Sequence, residues 1–490
     1  MVKSSSNFRF DNVRYFTLTK QLDLILQHFN HDIRIICNPN IHITRNHPEY
    51  LGCWKNVLFK ARLTFIDKLS IFIDLVNIFF QTSVSILFEL IKLKSNRSHS
   101  KNDGTSRLDF LLISHQVENM QNTNDFYFGN LQGNLTRSGK KVFRLLIPHS
   151  NSLTSSTRGG EKSTLILENS MKKSDLLNYV FSNLYSFAKL TLFLINNKFG
   201  FYESVHILTG QIKSFSLYRL AVSIKYALEE LKPERVIFTF EGNALEKAVF
   251  SLCSRLHTVS YGYQHAPIIQ SQNSIFQLYP VNLSPDIILC SGDYTRDKFR
   301  HFLGENRQVF ILGSPKFIKY REKFSLNRLT KSVLLIPDGN TQSILTFIDL
   351  GIFLARSDSS RNIIIRSHPL FEEFLETKLN SDIQISDLNI RLSKDDIFQD
   401  LTSSRWLIYQ NSSVCIQGLL PGCKLIYFEH PLANINPLWE FPDTHFSAQD
   451  FFDINNFVEF KGDLPIEVDL EHLSSGQTYF AKFNPDLFSD

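Results

Sequence analysis

The sequence predicts an α/β protein with two parallel-sheet domains and a helical region ahead of them. Three observations predict it. At 490 residues the chain is too long for one ordinary core. From residue 108 onward, short apolar runs of strand length alternate with helical patterns. The same alternation repeats in the second half, as expected for two sets of βαβ units. The two sheets are therefore expected to form Rossmann-like domains facing each other across a cleft.

Residues 1–107 form the N-terminal region. Its most apolar stretch is KLSIFIDLVNIFFQTSVSILFELIKLK, residues 68–94. Asp74 and Glu89 interrupt it, and central carboxylates are costly in a lipid-spanning helix. An amphipathic helix, packed on the protein or lying in a membrane interface, fits better. Lys60, Arg62 and Lys68 before it, and Lys92, Lys94 and Arg97 after it, suit anionic headgroups.

Residues 108–300 read as the first Rossmann-like domain. Strand-like runs are LDFLLIS (108–114), FRLLIPHS (143–150), STLILEN (163–169), RVIFTF (235–240), HTVSYGYQ (257–264) and DIILCSG (286–292). Helical periodicity covers 174–195, 216–231 and the segment after Phe240. Residues 301–440 read as the second domain, with strands in VFILGSP (309–315), SVLLIPDG (332–339), NIIIRSHP (362–369), RWLIYQNSS (405–413) and KLIYFEHP (424–431). Residues 441–490 have weak periodicity and are expected to pack back on the first domain.

A hydrophobic fraction of 43% and a charged fraction of 20% are those of a folded globular protein. The net charge of +4 gives no support to wholesale nucleic-acid binding. The six cysteines form no CxxC pair and sit in apolar runs, so buried free thiols and a reducing compartment are expected. The start MVKSSSNFRFDNVRYF has no secretory h-region, so a cytoplasmic location is expected. The 44 phenylalanines occur in all kinds of segment and receive no functional assignment.

Ligands of open parallel sheets bind beyond the carboxyl ends of the strands. The polar groups just after the apolar runs are Glu241, Gln264 with His265, Asp338, His368, and Asn411 with Ser412 and Ser413. Glu241, read as the first turn of a helix, would be a general base if partly buried, and His265 competes for that role. His368 is held by Pro369 and could donate to a departing phosphate. Ser412 and Ser413 precede a short helix, where they could cap it or meet a phosphate. There is no Walker sequence, no GxGxxG after a strand, no GxSxG, no HExxH and no zinc spacing. No Asp-x-Asp follows a strand, so no metal and no cofactor are expected.

FEGNALEKAVFSLCSRLHTVSYGYQHAPI resembles a segment of bacterial surface-carbohydrate biosynthesis proteins, and DFYFGNL (125–131) resembles an element upstream of it. RSHP (366–369) and NSS (411–413) resemble motifs of GT-B enzymes that use cytidine nucleotides, among them sialyltransferases, Kdo transferases and teichoic-acid glycerophosphotransferases. The resemblance covers roughly residues 108–440. It implies a GT-B-like glycosyltransferase of O-antigen or capsule biosynthesis, using a CMP-activated acidic sugar and a lipid-linked glycan acceptor near the inner membrane. Glu241 with Gly242 resembles the acidic-Gly motif of the catalytic base. Those enzymes usually carry two acidic residues there, whereas this chain has Phe240-Glu241-Gly242. Gly242 and Gln264 would lie on the acceptor side. Gly313, Ser314, Asp338, Arg366, His368, Pro369, Asn411, Ser412 and Ser413 would lie around the nucleotide. A CDP-alditol phosphotransferase and a catalytically degenerate GT-B scaffold are the alternatives.

Overall fold

A computed structural model describes residues 12–42, 81–84, 86, 107–115, 125–148, 163–167, 171–268, 273–276, 281–304, 307–315, 331–368, 371–381, 387–419, 421–429, 435–459, 480–482 and 484–488. The first sheet contains β1 (Phe110–His115), β2 (Val142–Ile147), β3 (Thr164–Ile166), β4 (Arg235–Thr239), β5 (Val259–Gln264), β6 (Ile287–Cys290) and β7 (Gln308–Ile311). Their order is β3-β2-β1-β4-β5-β6-β7, and every pairing is parallel. The second contains β8 (Ser332–Ile336), β9 (Asn362–Ile365), β10 (Ile390–Leu392), β11 (Trp406–Tyr409), β12 (Lys424–Phe428) and β13 (Phe446–Ala448). Its order is β10-β9-β8-β11-β12-β13, again all parallel.

Both orders are the doubly wound 3-2-1-4-5-6 pattern, with one strand added to the first sheet. Each has a switch point where the winding reverses, between β1 and β4 and between β8 and β11. The strands read as continuous apolar runs because helices cover both faces; all of β8 and β11 is buried.

The two carboxyl edges meet through the helix Asp293–Leu303, which leaves β6, and the segment after β12. Lys298 Nζ lies 2.8 Å from Glu440 Oε2 and over the Trp439 ring. Tyr294 donates its hydroxyl to Glu440 and packs against Phe441. The architecture is thus GT-B-like, with two facing Rossmann-like domains.

The domain boundaries shift from those the sequence suggests. The run at 309–315 was expected to open the second domain, but β7 pairs with β6, so the first sheet ends at Ile311. Residues 441–459 belong to the second domain: β13 extends its sheet, and Ile454 of the helix Phe451–Glu459 enters its core. Among the described residues after Glu459, Ala481 and Phe488 pack on the first domain. Ala481 accepts from Ser314 N and donates to Ser291 O, and Phe488 packs edge-on against Phe110 and Tyr261. Weak periodicity concealed both arrangements because β13 has only three residues and the return is irregular.

The described N-terminal residues are part of the first domain. Leu22, Ile25, Ile35 and Ile36 enter its core. Asn38 and Asn40 donate to the carbonyls of Ile207 and His206 on the helix Phe201–Lys213, which the sequence reading did not single out. Most of 68–94 lies outside the described residues. Gln81–Val84 are helical, and Ile86 packs against the same core. Among the described residues no helix is long and apolar enough to cross a membrane.

Phe488 is 5% exposed and fills the gap beside Phe110. F488A is expected to destabilise the first domain by about 3 kcal/mol, as for other buried Phe→Ala changes. Urea unfolding followed by hydrogen exchange in β1 and β5 checks this.

Candidate active site

On the first sheet, the chain leaves β4 through Phe240, Glu241, Gly242 and Asn243 before the helix Ala244–Arg255. Gly242 has φ +81°, and a Cβ there would sit 2.6 Å from the backbone of Ser274, so only glycine fits. Asn243 is the N-cap, accepting from Glu246 N at 3.0 Å. Glu246, fully buried, returns the favour more strongly than an ordinary capping box. Its Oε2 accepts the N–H groups of Glu241 (2.8 Å), Gly242 (2.7 Å) and Asn243 (3.0 Å). One carboxyl group therefore fixes the whole turn that presents Glu241. Burial pushes Glu246 from the ordinary 4.5 up to about 8, and the nearby Glu241 adds to the shift, against the three N–H donors.

Glu241 is thus two residues ahead of the cap, not in the first helical turn as expected. Its Oε1 lies 3.5 Å from His265 Nε2, beyond the end of β5, and both side chains are about nine-tenths buried. The Tyr127 ring stands edge-on to the His265 ring at 4.7 Å, and His115 at the end of β1 lies 6.1 Å from Tyr127. Asp125 explains how Tyr127 arrives there. Its Oδ1 accepts from Ser114 Oγ on β1 and from the N–H groups of Tyr127 and Phe128. The first switch point is therefore lined by a carboxylate–imidazole pair under an aromatic ring. Such a pair can accept a proton from a hydroxyl, with the carboxylate orienting the ring and stabilising the imidazolium. Gln264 is buried beside it and takes a hydrogen bond from Ser291 Oγ at 3.4 Å.

On the second sheet, Asp338 lies just past β8 and is buried. Its Oδ1 accepts from Asn411 N at 3.0 Å, tying β8 to the end of β11 across the switch point. Its own N–H donates to Ser343 Oγ, which in turn donates to Gln410 Oε1. His368 is exposed at the end of β9 and lies over Gly339, where a Cβ would sit 3.2 Å from the imidazole Cγ. Ser412 Oγ accepts from Val414 N at 3.3 Å, and Ser413 is half-buried beside it. Asp338, His368, Asn411, Ser412 and Ser413 all stand on the carboxyl edge of the second sheet. Pro369 lies outside the described residues.

Three expected donor-side residues have other surroundings. Gly313 and Ser314 follow β7 on the first sheet and are buried. Gly313 O accepts from Tyr263 Oη at 2.8 Å, and Ser314 N donates to Ala481 O. They secure the C-terminal return, because the strand they follow belongs to the first domain. Arg366 Nη1 donates to the buried carboxylate of Asp400 (2.7 Å), to Asp395 O and to Ser393 Oγ. Those contacts clamp β9 to β10 and to the helix Ile397–Ser403.

Sequence reasoning missed Tyr127, His115 and Glu246 as site residues. The signal for Glu246 was present: Asn243-Ala-Leu-Glu246 has capping-box spacing. Nothing local marks His115, which reaches the site only through sheet pairing. Among the described residues no group of three or more His, Cys, Asp or Glu could hold a metal ion.

No family model matches the sequence, and no curated protein matches it. Among solved structures the chain is similar to the glycotransferase of kitacinnamycin, at 9% identity over 78% of this chain and 98% of that one, TM-score 0.47. It is similar to the spinosyn rhamnosyltransferase SpnG complexed with thymidine diphosphate, at 10% identity over 78% and 98%, TM-score 0.44. It is also similar to a Methanocaldococcus jannaschii UDP-GlcNAc 2-epimerase in complex with UDP-GlcNAc and UDP, at 12% identity over 76% and 98%, TM-score 0.43. The fold assignment rests on the two strand orders.

E246A removes the acceptor of three N–H bonds and is expected to cost about 3 kcal/mol, at about 1 kcal/mol per bond. E246Q retains an acceptor oxygen for them. Because the folded pKa of Glu246 is raised, its contribution to stability is greatest below pH 4.5 and declines as pH rises toward about 8. Urea midpoints measured across that window should fall for the wild type relative to E246Q; parallel curves would contradict the shift.

Proposed function

We propose that the chain is a glycosyltransferase whose acceptor is activated on the first sheet and whose nucleotide-sugar donor is held on the second. The single observation that carries this reading is the Glu241–His265 pair, buried at the switch edge of a domain whose carboxyl edge adjoins that of a second Rossmann-like domain. His265 takes the proton of an acceptor hydroxyl while Glu241 orients the imidazole. The acceptor oxygen forms a bond to the anomeric carbon as the bond to the nucleotide phosphate oxygen breaks. His368 and the loops Asp338–Asn340 and Asn411–Ser413 surround the departing nucleotide, where preset donors stabilise the developing charge.

The donor in this reading is a CMP-activated acidic sugar such as a nonulosonate or Kdo. The resemblance at RSHP and NSS supports it. The acceptor is a lipid-linked glycan of a bacterial surface polysaccharide, modified on the cytoplasmic side of the inner membrane.

A calorimetric screen of CMP, CDP, UDP, GDP and dTDP is expected to give the tightest binding for a cytidine nucleotide; preference for UDP would sink that assignment. H265A should lower kcat/KM for transfer by about 10²–10⁴-fold, the usual contribution of a general base, with nucleotide affinity unchanged. H368A should instead weaken nucleotide binding.

A further inference from the structure

The helix Lys173–Asn196 has two apolar faces. One, formed by Leu176, Tyr179, Leu190 and Leu194, is buried in the core of the first domain. The other carries Leu177, Phe181, Leu184, Tyr185, Leu192 and Ile195, each between 52% and 71% exposed. At about 100° per residue these six fall within a sector of about 100° and run for about 27 Å along the helix. Soluble monomers scatter exposed apolar side chains singly, and a continuous stripe of this length marks a contact surface.

The charges beside the stripe identify the contact. Lys173, Lys189 and Lys198 are exposed at its margins, and the Lys189 Nζ lies 4.3 Å over the Tyr185 ring. The helix has one carboxylate, Asp175, which faces the protein: its Oδ2 accepts from Tyr226 Oη and from Lys172 N. Glu203, on the next helix, is half-buried. An apolar stripe with a lysine margin fits the boundary between acyl chains and anionic headgroups. A second copy of the chain would bring the same lysines toward each other.

We propose that this helix docks the first domain on an anionic lipid surface, with Phe181, Leu184 and Leu192 in the acyl boundary and Lys173 and Lys189 at the headgroups. The assignment stands apart from the donor chemistry. The sequence leaves residues 68–94 as either a helix packed on the protein or one in a membrane interface, and most of them lie outside the described residues.

Co-sedimentation with vesicles of phosphatidylcholine containing about a third phosphatidylglycerol tests it. The full chain should bind these vesicles and bind phosphatidylcholine alone much more weakly. F181D/L192D should lower the partition coefficient by about tenfold or more. Both sites are exposed, so its melting temperature should match the wild type. K173E/K189E should lose only the preference for anionic vesicles. Absence of vesicle binding by the wild type would overturn the proposal, as would equal binding by F181D/L192D. A wild-type dimer in light scattering that F181D/L192D dissociates, without vesicle binding, would assign the stripe to a second copy and overturn it too.

Discussion

An all-parallel sheet forces every strand to be followed by a crossover, so all the loops leaving the carboxyl ends emerge on one edge. The candidate site in both halves depends on that constraint. Where the winding reverses, adjacent loops diverge to opposite faces and leave a crevice. This chain builds two such crevices, beside β4 and beside β11, and joins their edges through Lys298, Tyr294 and Glu440. The polar residues singled out in the two halves, far apart in sequence, thus stand on the carboxyl edges of two sheets with the same strand order.

The two crevices are held in different ways. The first is stiffened from beneath by Glu246, whose single oxygen gathers three backbone N–H groups, so that Glu241 emerges from a turn with little freedom. The second is tied across its floor by Asp338, which takes the N–H of Asn411 from the neighbouring strand end. One device fixes the turn that carries Glu241; the other fixes the spacing between two loops. His368 stands exposed beside the second, whereas Glu241 and His265 are shielded. That contrast suits a deprotonating pair on one side and a charged leaving group on the other.

Much of the fold was legible in the sequence because buried parallel strands are short continuous apolar runs. IIIRS, VLLIP and WLIY announce β9, β8 and β11 without ambiguity. Assignment of strands to sheets was not legible. VFILGSP looks like any other strand, and only its pairing with β6 shows that Gly313 and Ser314 belong to the first domain. β10 and β13, IRL and FSA, are short and broken by a polar residue, so they lack the continuous apolar run that marks the others. At the site, a search for polar residues after strands named Glu241, His265, Asp338 and His368, and all four stand at the carboxyl edges of the two sheets. It also named Arg366, whose guanidinium is engaged by a buried carboxylate that sequence spacing could not reveal. It missed Tyr127, which is carried to His265 by an Asp125 turn and not by a strand end.

The central claim is that the carboxyl edge of the second sheet receives the nucleotide while the Glu241–His265 pair on the first stays clear of it. Hydrogen exchange with and without the tightest-binding nucleotide tests this most directly. The account predicts slowed exchange concentrated in residues 336–343 and 409–415, with little change at 239–246. Protection centred on 239–246 and the end of β5, with the β8 and β11 loops unaffected, would contradict it.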